Sequence, residues 1–189
     1  TPSRFSIMGK EPSVQQTLTR EDLETVPFGE DIYRAVNRLP GVSAGDFSAK
    51  FTVRGGENEE VLVLMDGLEL YEPFHLKDLD GGVSSIIDVA AVEGIDLMTG
   101  GFPVEYGDRM SGVFNIKSIR PQVGKKRTSL GISFMNTRIM SEGTFGDDKG
   151  AWLFSVRRGY LDLILDIMGE KDPPRPVYYD VLGKIEYQM

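Results

Sequence analysis

The sequence predicts a small α+β domain, built on a mixed sheet with short helices, followed by a run of antiparallel β strands. Two observations lead to this fold class. The 189 residues include 22 glycines and 10 prolines, a composition that suits short strands and tight turns better than a helix bundle. The hydrophobic pattern also changes near residues 120–127, from short mixed segments to longer segments in which apolar and polar residues alternate.

The start of the first part has strand and helix signals in close succession. Residues 14–18 are expected to form a short strand. Thr19 and Asp22 then have the spacing of a capping box, in which the hydroxyl accepts from a free backbone N–H and the carboxylate reaches back. The helix that follows is expected to end before Pro27. A second helix is expected over residues 31–38.

Further strands of the first part are indicated by apolar runs that end at turn residues. Residues 61–65 are continuously apolar, which fits a strand buried on both faces. Asp66 and Gly67 follow, and we expect them to form a hairpin turn in which both residues have positive φ. Other strands are expected at residues 51–53, 92–98 and 112–118.

The second part alternates in a way that soluble sheets and membrane barrels share. From Val177 to Met189 the odd positions are mostly apolar, with Tyr179 and Tyr187 near the ends, and the even positions are mostly polar. Periodicity alone favours a soluble antiparallel sheet with one wet face, because such sheets are commoner. About four strands fit into this part, whereas the smallest membrane barrels need about eight.

Charge and residue usage argue against several classes of function. The net charge of -8 and the pI near 4.8 do not fit a nucleic-acid binder, and the absence of cysteine removes disulfides and thiolate metal sites. No nucleophile–base pair is recognised, so we expect no enzyme activity; a hydrolase built around His75, the only histidine, is the weaker alternative. Glu69, Glu72 and His75 could be imagined as metal ligands, but nothing in the sequence fixes their convergence, and we expect His75 to be packed and hydrogen-bonded. No metal or cofactor is expected.

From residue 18 to residue 118 the sequence resembles the plug domain of TonB-dependent outer-membrane receptors. The resemblance rests on motifs that occur in the order and at the spacing of the family. They are LPGV (39–42), FTVRGG (51–56), VLMDG (63–67), YEPFHL (71–76), GGFP (100–103), YG (106–107) and SGVFNI (111–116). The segment SVRRGYLD (155–162) is similar to the early barrel of the same receptors. The resemblance implies an N-terminal extension (1–13), a plug domain (14–120) and about four strands of an incomplete transmembrane β-barrel (121–189).

The resemblance also implies a function in uptake across the outer membrane of a Gram-negative cell. In this family a plug inside the barrel lumen gates transport, and a TonB-type protein supplies the energy. The expected partners are the TonB-type protein, the rest of the barrel, outer-membrane lipid and a small ligand of the siderophore, vitamin, glycan or peptide class. Residues 1–14 contain no recognisable TonB box. The alternative is a non-transporting, plug-like module of the cell envelope that binds a ligand or a protein.

The resemblance assigns a latch role to one arginine. The family residue that matches Arg54 pairs with carboxylates on the inner barrel wall, and a guanidinium can bind such carboxylates bidentately. Many plugs have a second arginine after the strand predicted at residues 92–98, where this chain has Thr99. Arg109 is the candidate that replaces it.

The remaining motif residues fall into two expected groups. A loop that faces the ligand is expected to contain Tyr71, Glu72, Phe74 and His75. Roles in turns or at close backbone approaches are expected for Gly55, Gly56, Asp66, Gly67, Gly100, Gly101, Tyr106 and Gly107.

Overall fold

The computed structural model describes residues 15–25, 31–37, 39–44, 50–75, 84–106, 111–133, 136–160 and 177–188. None of the helices in these ranges is long and apolar enough to cross a membrane. The helices are α1 (Arg20–Thr25) and α2 (Ile32–Val36), and the strands are β1 (Gln15–Thr19), β2 (Val42–Ala44), β3 (Phe51–Val53), β4 (Val61–Met65), β5 (Leu68–Glu69), β6 (Phe74–His75), β7 (Ser84–Ser85), β8 (Val92–Met98), β9 (Gly112–Ser118), β10 (Lys126–Ile132), β11 (Asn136–Phe145), β12 (Gly150–Gly159) and β13 (Tyr179–Tyr187).

A five-stranded mixed sheet organises the first part of the chain, with the strand order β1-β8-β9-β4-β5. β4 and β9 are parallel, and the other neighbours are antiparallel. All five residues of β4 are buried, as its continuous apolar run predicts. The expected hairpin joins β4 to β5, and its turn residues Asp66 and Gly67 have φ of 50° and 84°. Two small sheets, β2-β3 and β6-β7, complete this part.

The two helices begin at side-chain caps. The Asp22 carboxylate accepts from the backbone N–H and the hydroxyl of Thr19, at 2.8 and 2.7 Å, which confirms the capping box at the start of α1. Asp31 caps α2 by accepting from the backbone N–H of Tyr33 at 2.9 Å. α2 is shorter than the predicted 31–38 because the Leu39 N–H bonds to the Val36 carbonyl at 2.8 Å and tightens the chain before a proline.

An aromatic cluster forms the centre of the first core. The buried ring of Tyr33 on α2 lies 5.6 Å from Phe51, 6.2 Å from Phe74 and 5.9 Å from Phe114, measured between ring centroids. These distances are typical of favourable aromatic pairs. The cluster therefore ties α2 to β3, β6 and β9, segments that are far apart in the sequence.

The second part forms a separate four-stranded antiparallel sheet in the order β10-β11-β12-β13. Its residues alternate in exposure, as the sequence pattern predicts. Leu153, Ser155 and Arg157 are buried against the first part, whereas Ile132 and Ile185 on the opposite face are 74% and 76% exposed. One face of this sheet thus packs on the first domain, and the other face is apolar and open.

Candidate functional site

The candidate site is the face on which the four-stranded sheet contacts the first domain. At its centre is a small apolar cluster in which Ala91 and Ile119 of the first domain are buried with Met140 of β11 and Leu153 of β12. Polar and charged groups surround this cluster on both surfaces. The contact is therefore mixed, with a limited apolar centre.

Arg157 and Asp180 form a largely buried ion pair on this face. The Asp180 Oδ2 lies 2.9 Å from the Arg157 Nε and 2.6 Å from its Nη2. The guanidinium also donates to the backbone carbonyls of Ile87, at 3.4 Å, and Ser85. The other Asp180 oxygen lies 2.5 Å from the Nε2 of His75. A single ion pair on the strands thus binds both backbone and side chain of the first domain.

An aromatic ring covers the same cluster. The Tyr178 ring stacks on His75, with 4.3 Å between ring centroids, and the Arg157 guanidinium carbon lies 5.9 Å from the Tyr178 centroid. Gly159 is opposite the Tyr178 ring, and a β carbon there would collide with it. Because this position is glycine, the Tyr178 ring can lie close to the strand, beside the ion pair.

Asp88 provides a second polar contact, next to the apolar cluster. Its carboxylate accepts from the Ser155 hydroxyl at 2.7 Å and from the backbone N–H of Ala90 at 3.0 Å. The Arg138 Nη1 lies 3.7 Å from the same carboxylate. A β carbon on Gly131 would come within 2.8 Å of the Arg138 Nε, so the glycine leaves room for this side chain.

A third contact joins the β4–β5 turn to β13. The Asp66 carboxylate accepts from the backbone N–H and the hydroxyl of Ser118, at 3.0 and 2.6 Å, and the Lys184 Nζ lies 3.0 Å from it. Partial burial raises the pKa of Asp66, but the hydrogen bonds from Ser118 and Lys184 outweigh burial, so the pKa lies below its ordinary value. The turn carboxylate is therefore charged when it meets the strand.

The structure places Arg54 away from these three contacts. Its backbone has a positive φ of 52°, its N–H donates to the Gly41 carbonyl at 2.7 Å, and its side chain is exposed. A β carbon on Gly100 would lie 3.0 Å from the Arg54 Nη1, so the glycine leaves room for the guanidinium. Within the described ranges the guanidinium pairs with no carboxylate. The latch role of Arg54 stays a prediction. Any carboxylates that Arg54 binds in that role would lie outside the four described strands.

The predicted turn residues of the first domain have the geometry that glycine permits. Gly55 and Gly101 have φ of 74° and 65°. Gly56 is a close approach, since a β carbon there would lie 2.5 Å from the Ser111 β carbon. Tyr106 is in a short 3-10 helix, where partial burial and Glu105 raise its pKa. Gly107 and Arg109 lie outside the described residues.

The expected ligand-facing loop divides between a cavity and the strand contact. Tyr71 is 85% exposed, and Glu72 has a positive φ of 45°. Phe74 is buried in the aromatic core, and His75 points to Asp180, because the β6 backbone alternates these two side chains. A cavity of about 640 Å³ is lined by Tyr33, Lys50, Phe51, Glu57, Glu59, Val61, Val63, Glu69, Leu70, Tyr71, Glu72, Pro73 and Phe74.

The residues that carry the strand contact were not among the predicted site residues, with the exceptions of Asp66 and His75. The sequence did contain one signal for them, since Asp180 and Lys184 occupy polar positions of an alternating strand. No three His, Asp or Glu side chains of the described ranges converge as they would around a metal ion.

Comparison with known proteins agrees with this architecture. A family model described as the TonB-dependent receptor plug domain matches residues 9–113, more than half of the chain. The chain is similar to the ferric citrate transporter FecA in its unliganded form, with a TM-score of 0.56 and 23% identity over 79% of this chain and 26% of that chain. It is also similar to FauA, the alcaligin outer-membrane receptor of Bordetella pertussis, with a TM-score of 0.46 and 15% identity over 80% and 27% of the two chains.

The chain thus spans about a quarter of the length of these two receptors. The likeness to FecA assigns the two sheets, since a mixed sheet that packs on antiparallel strands is the arrangement of a plug and the first strands of its barrel. The chain therefore belongs to the TonB-dependent receptor plug domain family, and it consists of a plug domain followed by barrel strands.

Proposed function

We propose that this chain is part of an outer-membrane receptor in which the plug gates a β-barrel, and that a TonB-type protein energises uptake of a scarce ligand. The observation that carries the proposal is the two-sided character of β10–β13. One face binds the plug through charged and hydroxyl groups, and the other is apolar and exposed. A sheet with these two faces suits a position between lipid and a polar lumen.

The polar contacts support a plug that can be released. When Asp88 separates from Ser155, or Asp66 from Lys184, both partners can bind water instead. Exchange of a protein hydrogen bond for water changes the free energy by only about 0.5–1.5 kcal/mol. An apolar contact of the same extent would oppose separation more strongly, because it would expose hydrocarbon to water.

The cavity beside Tyr71 and Glu72 supports a site of ligand capture on the plug. Its volume of about 640 Å³ lies in the range of small-molecule sites. The aromatic rings of Phe51 and Phe74 form part of its wall, and several glutamates contribute polar groups. Ligand contact by Tyr71 and Glu72, and latch roles for Arg54 and Arg109, are parts of the proposal.

A reversible tether between plug and wall tests the proposal. Asp88→Cys and Ser155→Cys are introduced together into the full-length receptor, at a contact where the Asp88 Oδ2 and the Ser155 Oγ are 2.7 Å apart, and formation of the disulfide is verified by gel mobility without reductant. We expect oxidation to block energy-dependent uptake and reduction to restore it, since the tether holds the plug on β12. Uptake can be measured with a radiolabelled candidate ligand from each of the four classes.

Each single cysteine variant is the matched control, because it changes the same contact without forming the tether. We expect both single variants to transport equally under oxidising and reducing conditions. Undiminished uptake through the fully oxidised double variant would contradict a gate at this contact. Recovery of the receptor as a soluble periplasmic protein would contradict the proposed location.

A further inference from the structure

The open face of β10–β13 carries a cation at one end, held against an aromatic ring. Lys126, Gly143, Trp152 and Ile185 are direct neighbours in one row across the four strands. We propose that Lys126 and Trp152 form a binding site for the phosphate group of a glycerophospholipid. The inference rests on the proposed membrane location of these strands, and it adds a specific ligand to their outward face.

The geometry of the row presents the ammonium group for binding. The Lys126 Nζ lies 5.7 Å from the centroid of the Trp152 ring, the arrangement of a cation–π contact. The indole N–H faces the Ser141 hydroxyl at 3.5 Å, which orients the ring. Lys126 is exposed, so its ammonium keeps hydrogen-bond donors for a further acceptor.

Gly143 makes this arrangement possible. A β carbon at this position would stand 2.6 Å from the Trp152 Cζ2 and 3.0 Å from the Lys126 Cγ. The glycine therefore forms a notch between β10 and β12, across which the two side chains meet. The notch lies on β11, an interior strand of the sheet, so both sides of the site are formed by this chain.

The surroundings match the two ends of a phospholipid. Ile139, Phe154 and Ile185 are exposed on the same face and continue the apolar surface along the strands, where acyl chains can pack. On the other side of the row, Phe145 and Tyr187 stack with 6.2 Å between ring centroids. Aromatic rings of this kind collect at the level of lipid headgroups.

The charge on this face favours an anion. Within the four described strands, the outward positions carry no Asp or Glu, and their charged residues are Lys126 and Arg158 at opposite ends of the sheet. A phosphate at Lys126 therefore meets a cation and no carboxylate from these outward strand positions. At the same end β11 and β12 are joined by residues 146–149, whereas the much longer connection from β12 to β13, residues 160–178, belongs to the opposite end. In barrels of this type the longer loops are extracellular and the short turns face the periplasm, where the leaflet consists of phospholipid.

Native mass spectrometry of the full-length receptor with phosphatidylglycerol tests the site. Lys126→Gln removes the cation, and Gly143→Ala keeps it but displaces the ring. We expect Lys126→Gln to retain about fivefold less lipid than the wild type, the effect of one lysine near an anionic lipid surface. We expect Gly143→Ala to retain less lipid than the wild type too, because the displaced ring no longer holds the ammonium group in place. Lys125→Gln is the matched control, since the Lys125 Nζ binds the Gln122 side chain at 2.7 Å, and we expect it to retain lipid normally.

Diacylglycerol is the second control, because it has the acyl chains without the phosphate, and we expect no specific retention. Equal retention of phosphatidylglycerol by wild type, Lys126→Gln and Lys125→Gln would overturn the site. Uptake measured on the same variants separates the two proposals. If the receptor transports but its Lys126→Gln variant retains lipid normally, only the lipid site is refuted. If the wild type retains lipid in a Lys126-dependent way but shows no uptake, only the transport proposal is refuted.

Discussion

Arg157 and Asp180 face each other across β12 and β13 as a directly opposed pair, and both are largely buried against the plug. One oxygen of Asp180 binds the guanidinium of Arg157, and the other binds the imidazole of His75, which is 105 residues away in the chain. The carboxylate thus joins a barrel residue to a plug residue. In the latch predicted from Arg54, the arginine belongs to the plug and its carboxylate partners belong to the barrel wall. In the contact described here, the arginine belongs to the wall.

Replacement of Arg157 by methionine is expected to loosen the plug. Asp180 would lose the cation that compensates its buried charge, and the carbonyls of Ser85 and Ile87 would lose their donor. Breaking a buried pair in this way costs about 3–5 kcal/mol. The measurement is the free energy of plug unfolding in a urea titration of the full-length receptor. Arg158→Met, on the exposed face, is the control, and an equally large loss there would contradict the assignment.

Asp66→Asn is expected to weaken the contact between the β4–β5 turn and the barrel. Asparagine tolerates the positive φ, so the loss reports the charge-assisted bonds to Ser118 and Lys184, about 1.5–3 kcal/mol in plug stability. Asp147→Asn is the matched control, because Asp147 also has a positive φ, of 53°, in the β11–β12 turn. Similar melting temperatures for the two variants would rule out an anchoring role for Asp66.

Gly56→Ala is expected to destabilise the plug by about 1–3 kcal/mol, the usual cost of overpacking. The added methyl would lie 2.5 Å from the Ser111 β carbon, where both residues are held by the backbone. Ser111→Gly should restore part of the stability in the double variant, since it removes one of the two atoms that lie 2.5 Å from the added methyl, the other being the Glu60 Oε2. Denaturant unfolding of both single variants and the double variant provides the coupling energy, and strict additivity would count against the contact.

Acid is expected to weaken the pairing of β1 with β8 through Asp96. Partial burial raises the pKa of this carboxyl, but hydrogen bonds from Lys117 and Thr17 outweigh burial and lower it overall. A lowered pKa stabilises the fold above the ordinary value near 3.8, and this contribution is lost as pH falls through the lower folded pKa. The protection factors of the β1 amides, which compare the observed exchange rate with the intrinsic rate at the same pH, should therefore fall below about pH 4.

Asp96→Asn supplies the control for this pH effect, because its side chain does not titrate. In that variant the protection of β1 should change less between pH 5 and pH 3 than in the wild type. An unchanged pH profile in the variant would mean that another carboxyl is responsible.

Local features of the fold were predictable from neighbouring residues. The capping box of Thr19 and Asp22, the Asp66-Gly67 turn and the alternation of β12 and β13 each depend on residues close in sequence. The structure has all of them. Alternation also distinguished the inner face of the strands from the outer face, although the family resemblance was needed to favour a barrel over a soluble sheet.

The pairing between distant segments was not predictable in the same way. The parallel neighbours β4 and β9 are separated by two other elements of the sheet, and no local pattern specifies that partner. The contact of His75 with Asp180 likewise depends on how the plug sits against the strands. Polar positions on an alternating strand indicate which side chains point inward, but they do not indicate which plug atoms they meet.

Arg157 binds the plug by donating hydrogen bonds to two main-chain carbonyl oxygens, those of Ser85 and Ile87. Every amino acid has such an oxygen. Side chains at positions 85 and 87 can therefore change over evolution without loss of this particular attachment, provided that the chain keeps its path. The barrel wall recognises the course of the backbone at this point. The sequence of this plug segment could thus diversify among related receptors while the arginine that binds it stays the same.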